Sequence, residues 1–339
     1  MREFNIHQNK TVALKYIAPE AIDAYLAQCG DRVMCVVGFG SSRCAALKSG
    51  FPVLWVDTPV SGCDAVYEVW TSDKPVTRYS DELMTGAGNE DLFFGCLSAR
   101  FVSAVDLSET ALRIYSGIFD FLQRGSYPNL LRVWNYFPDI NAVEGGIERY
   151  RSFSVGRHEA FVRYNRKVED SPSACALGSH GGPLVIYFLA SRFPGVQIEN
   201  PRQTSAYHYP KQYGPRSPTF SRATLAFQGD APTLFISGTA SILGHDTVHP
   251  ESVILQTRET LANIRAVIDQ AGKQGFKFAG FGTGMALKAY VRHTEHLNVV
   301  RDIIRAEWGG LHELVVLQAD ICRTDLLLEV EAVCWGSAS

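Results

Sequence analysis

One succession of local signals occurs twice along the chain: an amphipathic helix, a glycine that stops it, an apolar strand and a second helix, at 107–161 and again at 252–310. Each element has one apolar face to bury, and helices laid on one side of a sheet bury all of them together. The repeat therefore predicts an α+β chain built from two copies of one unit, with identity between the copies slight. In the first copy Asp106 is the expected cap, Leu112, Tyr115, Phe119 and Leu122 form the helix stripe, and Gly125 precedes the strand LLRVWNYF. In the second, Pro250 opens the helix, Gly275 follows it, MALKAYVR reads as a strand, and Leu297, Val300 and Ile304 share a face of the last helix. We expect an N-terminal α+β domain over 1–150 and a C-terminal one over 151–339, the cleft lined by the latter.

The ends of the chain fill in this plan. TVALKYI, VMCVVGFG, PVLWVDTP and LFFGCLSARFV read as strands before the first helix, with 18–29 helical. ELVVLQADIC and LLLEVEAVCW read as two strands at the end. At 339 residues and 46% apolar composition there is core for two ordinary domains. No apolar run is long enough for a membrane helix, and the start MREFNIHQNK lacks the apolar stretch of a secretory signal, so a cytoplasmic protein is expected.

Several chemistries lack their signature. Eight cysteines without a CxxC pair suggest reduced thiols rather than a disulfide framework or zinc knuckle. His245 and His249 have helical spacing for a metal, but Pro250 follows them and no third ligand is near, so no metal is expected. GFGSS (38–42) and GFGTG (280–284) complete neither phosphate-binding motif and read as tight turns. SHGGP (179–183) looks like an oxyanion run, but no GxSxG elbow accompanies it.

Charge is distributed unevenly. Between Arg151 and Arg222 ten Lys or Arg stand against four acids, on a chain whose net charge is −3. A positive middle on an acidic protein suits a small anion better than a nucleic acid, which needs an extended basic stripe. Within it SAYHYPKQYGPRSPTFSRA (205–223) has three tyrosines, three prolines and three cations, without a carboxylate. Guanidinium forks pair with carboxylates, phenols give an apolar wall with a hydroxyl at its edge, and proline pre-orders the loop. A loop merely packed on its neighbour has the same composition.

The final strand places Glu329 and Glu331 on one face, and Leu328, Val330, Ala332 and Cys334 on the other. With the aliphatic face against helices, the glutamates either line a pocket or pair with arginines. A carboxyl in a half-dry pocket keeps its proton at neutral pH, as a general acid must. Cys322 is a packing residue near that pocket or a thiol made reactive by Arg323.

The run ISGTASILGH, QTRETLANI and ICRTDLLLEVEAV resembles the RidA/YjgF fold. Val315 falls near the position where the small imine hydrolases of that group carry an arginine, which argues against imine hydrolysis. With ERYRSFSVGRHEAF (148–161) and the 205–223 segment added, the chain resembles the chorismatases, two-domain RidA-like enzymes that remove pyruvate from chorismate. It looks most like the bifunctional kind that yields 3- and 4-hydroxybenzoate for xanthomonadin pigment and ubiquinone precursors. The resemblance implies an essential acid at Glu329, with Glu331 supporting. Arg157, Arg216 and Arg222 would clamp the two carboxylates of chorismate, Tyr207 and Tyr213 would offer hydroxyls, and Cys322 and Ala240 would govern water access. This chemistry needs no cofactor. The competing expectations are a hydrolytic chorismatase that gives pyruvate and a dihydroxycyclohexadienoate, and a RidA-like protein that binds small aromatic acids without turnover.

Overall fold

A computed structural model describes residues 11–41, 47, 50–228, 231–278, 284–309 and 313–338. Residues 280–283 of the GFGTG run and the end of GFGSS lie outside the described residues. Five α-helices are described: α1 (Ile22–Cys29), α2 (Ala104–Arg124), α3 (Arg149–Arg163), α4 (Val253–Gly272) and α5 (Leu297–Glu307). α2 begins earlier than Asp106 suggests. Ser103 is its cap, accepting from the Asp106 amide at 3.2 Å, while the Asp106 carboxylate turns back to the Val102 amide at 2.7 Å. Ser252, not Pro250, caps α4 in the same way.

The two expected units are present as two mixed sheets. Six strands, Ser173–Ser179, Asn129–Pro138, Leu184–Ser191, Leu92–Ala99, Thr85–Gly88 and Thr77–Ser80 in spatial order, form the first. Two of these lie beyond residue 150 and hydrogen-bond to Asn129–Pro138, so the first unit's sheet continues past the expected division. The second is seven-stranded and has Leu328–Ala338 near its middle, between Ala231–Thr239 and Met285–Val291. A further four-stranded sheet, with Val12–Ile17, Ala65–Ser72, Val33–Gly40 and Val53–Val56 in spatial order, makes a third layer.

Each sheet has a helix side and an inner side. α2 and α3 cover the six-stranded sheet through Ile114, Phe119, Phe153 and Phe161. α4 and α5 cover the seven-stranded sheet through Leu261, Ile264, Val300 and Ile304, against Leu328, Val330, Ala332 and Cys334. α1 packs on the four-stranded sheet. The three inner faces share one core that joins Met34 and Phe39, Phe94 and Trp134, Phe235 and Trp335. VMCVVGFG reads as a continuous apolar run because both faces of that strand are buried, and the same holds for Leu184–Ser191, a strand not anticipated from the sequence. Among the described residues no helix is long and apolar enough to cross a membrane.

Candidate active site

The last strand sends its odd-numbered glutamates to the inner side. Both are nearly enclosed, Glu329 at 5% and Glu331 at 6% exposure, yet their surroundings differ. Glu331 forms ion pairs with Arg132 and, at 3.0 Å, with Lys288, and accepts from the Trp134 indole at 2.9 Å. Burial pushes its carboxyl up, but Lys288 and Arg132 outweigh that and hold it below the usual range. Glu329 has neither pairing nor a hydrogen bond to a described residue. Burial, followed by the charge of Glu331, pushes it up to about 8, with Arg132 and Arg222 only partly opposing. It therefore carries its proton at neutral pH.

Glu329 faces a cavity of about 580 Å³, within the range of small-molecule sites. Room for its carboxyl exists because position 238 is glycine: a Cβ there would lie 1.7 Å from the Glu329 Oε1. The neighbouring Ser237 accepts from the Ala174 amide at 2.8 Å and donates to the Ser221 carbonyl at 2.5 Å, tying three cavity segments together. The helix motif has a similar duty. Gln256 of α4 donates to the Asp325 carbonyl at 2.9 Å and accepts from the Leu327 amide at 2.8 Å, fixing the approach to Glu329. Asn263, two turns on, donates to the carbonyls of Ala240 at 3.0 Å and Ile242 at 2.9 Å. The recurring residues of this C-terminal run thus build the walls of the cavity.

Cations supply the rest of the lining. Arg157 on α3 is buried with its guanidinium 5.0 Å from the centroid of the Tyr115 ring, and its Nε and Nη2 have no hydrogen-bond partner. Arg222 donates to the Thr204 carbonyl at 2.7 Å and the Tyr209 hydroxyl at 2.8 Å, leaving Nε unpaired. Arg323 lies over the Tyr213 ring at 3.9 Å and donates to the His245 carbonyl at 2.8 Å, leaving Nη2 unpaired. Buried donors are ordinarily satisfied. Three guanidiniums with spare donors around one cavity are what an anionic ligand would complete.

The expected residues divide accordingly. Glu329, Cys322, Arg157, Arg222, Tyr213 and Ala240 line the cavity. Arg216 does not: it is exposed, and its charge adds to burial in pushing the His158 imidazole down, burial being the larger cause. Tyr207 stands outside the lining too, its ring 4.6 Å from that of His208. Tyr213 contributes a ring rather than a free hydroxyl, because its OH already donates to the His245 carbonyl at 2.8 Å. Cys322 is half-buried; burial and then Glu329 push its thiol up to about 12, so it is a neutral group. Arg323, Tyr209 and Thr219, whose hydroxyl is buried and unpaired, also line the cavity and were not anticipated. For Arg323 the signal was the cation next to Cys322, one strand-length before Glu329.

A family model described as "Chorismatase FkbO/Hyg5-like, N-terminal" matches residues 68–190. A 3-hydroxybenzoate synthase of Streptomyces hygroscopicus is 36% identical over 315 residues, covering 90% of this chain and 92% of that protein. A chorismatase of Streptomyces rapamycinicus is 38% identical over 296 residues, covering 85% and 88%. A crystal structure of a chorismatase superposes with a TM-score of 0.86 at 32% identity, covering 96% of this chain and 99% of that one.

Proposed function

Since the chain belongs to the chorismatase family, we propose that it releases pyruvate from chorismate and leaves 3-hydroxybenzoate, with Glu329 as the acid. The observation that carries this is a protonated carboxyl without a partner, facing a cavity ringed by incompletely paired guanidiniums. Chorismate is a small dianion with a ring carboxylate, an enolpyruvyl carboxylate and a ring hydroxyl beside the enol ether. Arg157, Arg222 and Arg323 have the spare donors to hold two carboxylates bidentately and so fix the ring.

Glu329 gives its proton to the enol ether methylene, which becomes the methyl of pyruvate, and an oxocarbenium-like centre develops at the ether carbon. Carbon protonation is slow, so an acid poised near the working pH is the first requirement. The neighbouring ring hydroxyl then displaces the oxygen of the leaving group, and its proton returns to the Glu329 carboxylate. The resulting epoxide opens and the ring loses and regains one proton as it aromatises, so chorismate is divided into pyruvate and hydroxybenzoate without addition of water. Cys322 and Ala240, both on the cavity wall, are the groups whose bulk would keep water from this centre. Elimination across the ring would give the 4-isomer, the second product that the bifunctional enzymes make. As to organisation, we take the unit boundary to follow Ser191, where the six-stranded sheet ends.

The test is incubation of the protein with chorismate and separation of pyruvate, both hydroxybenzoates and the dihydrodiol by chromatography with mass detection. Pyruvate with 3-hydroxybenzoate, abolished in Glu329→Gln, is expected. Pyruvate with dihydrodiol alone would move the chain to the hydrolytic branch, and no turnover above spontaneous decay would reject the enzyme. Cys322→Ala should raise the dihydrodiol fraction.

A further inference from the structure

Behind the cavity, out of reach of a substrate, four charged side chains from three sheets meet in the common core. Glu68 (0% exposed) comes from the four-stranded sheet, Arg132 (2%) from the six-stranded sheet, and Lys288 (1%) and Glu331 from the seven-stranded sheet. Lys288 pairs with both Glu68 and Glu331, and Arg132 with Glu331. Glu68 also accepts from the Trp70 indole at 2.7 Å and the Tyr187 hydroxyl at 3.2 Å. The four charges cancel and each carboxylate has a cationic partner, while Arg132 Nη1 is left without a hydrogen-bond partner. Burying four charges is a poor way to gain stability, because apolar side chains of the same volume serve as well or better. The place of the cluster offers another reason for it: Glu331 is on the same strand face as Glu329, about 7 Å along.

We propose that Glu331 is a positioning residue that holds Glu329 in its carboxylic acid form, and that Glu68 sets the charge balance on which this depends, through Lys288. The proposal rests on Glu329 being the acid of the reaction above. From the elements packed around it, Glu329 meets Cys175, Tyr290, Cys322 and Tyr150, all pushed up by burial and uncharged at neutral pH. Arg132 and Arg222 favour an ionised Glu329, and Arg157 and Arg323 are further cations of the cavity lining. Glu148 and Asp325 are at the cavity lining, Glu148 engaged with Arg151 at 3.2 Å. Around Glu331 the remaining groups are Tyr136, Tyr187 and Tyr16, phenols likewise pushed up by burial. The negative charge opposing the cations at Glu329 is thus that of Glu331, and it persists because Arg132 and Lys288 stabilise it.

The sign of each change follows. Glu331→Gln removes the opposing charge and leaves Arg132 and Lys288 facing Glu68 alone, so Glu329 ionises at lower pH. Glu68→Gln leaves Lys288 in excess, with the same direction from farther away. Adding Lys288→Met to Glu68→Gln restores neutrality. The experiment is the pH profile of kcat/KM for pyruvate release in these three variants and in Glu329→Gln, with a melting curve for each. For Glu331→Gln the basic limb should fall by about one pH unit, a tenfold loss above the limb with little loss well below it. For Glu68→Gln it should fall by about half a unit, roughly threefold, and the double variant should recover most of that. A structural role alone lowers the profile without moving its limb and makes the double variant worse than the single one; either result overturns the proposal. Should Glu331→Gln not fold, the Glu68→Gln pair decides. Turnover by Glu329→Gln would instead reject the underlying assignment.

Discussion

The two sides of Glu329 are built to different rules. On the core side, around Glu331, both carboxylates have cationic partners and the indoles of Trp70 and Trp134 are used as donors. On the cavity side Arg157, Arg222, Arg323 and Thr219 each retain a buried polar atom without a partner. A buried carboxylate needs a cationic partner, and among the four charged groups of the core only Arg132 Nη1 is left over, whereas several spare polar atoms around one cavity are what a ligand would complete. The contrast thus separates charged groups that are paired with one another from groups that keep spare polar atoms around a cavity.

The sharpest way to break the contrast is at Glu329. Glu329→Gln should lower turnover by at least about a hundredfold, within the usual contribution of a positioned acid, and leave the melting temperature at pH 6 nearly unchanged. On the core side the effect should appear in stability instead. Arg132→Met leaves Glu68 and Glu331 to share Lys288 as their one cation and should cost about 3–5 kcal/mol, measurable by denaturant unfolding. On the cavity side Arg157→Gln should lower kcat/KM about ten- to a hundredfold by loss of one or two charged hydrogen bonds, with unfolding little changed.

A smaller effect sharpens the comparison through pH. The folded protein binds the Glu329 proton up to about pH 8, while the unfolded chain releases it near the ordinary carboxyl value, so wild-type stability falls as pH rises between those limits. Glu329→Gln lacks this slope. Its melting temperature should gain on the wild type from pH 5 to pH 8.5, and an unchanged gap would place the raised titration elsewhere. The smallest effects belong to Arg216→Gln and Tyr207→Phe. Both residues lie outside the cavity lining, and steady-state constants within about twofold of wild type are expected.

Much of this was legible in local patterns. Helix stripes such as Leu112, Tyr115, Phe119 and Leu122 mark the faces that pack on the six-stranded sheet, and the Leu328–Cys334 alternation assigns its aliphatic face to α4 and α5. The proline loop stood out by composition, but not which of its side chains turn toward the cavity. Arg216 and Arg222 are equivalent to the eye in sequence. The fold buries one against Thr204 and Tyr209 and leaves the other in solvent. Ser237 and Gln256 matter through carbonyls and amides of distant loops, contacts that no residue type announces.

What the sequence determined by itself is the placement of Glu329 and Glu331 on one face of a strand, since a period of two admits nothing else. Which of them is an acid and which an ion was decided only in the folded molecule. Arg132 is 199 residues from Glu331, and Lys288 is 220 from Glu68. In a dry core the ionisation of a carboxyl depends on the charges within a few ångströms and on the water excluded, and chain distance determines neither.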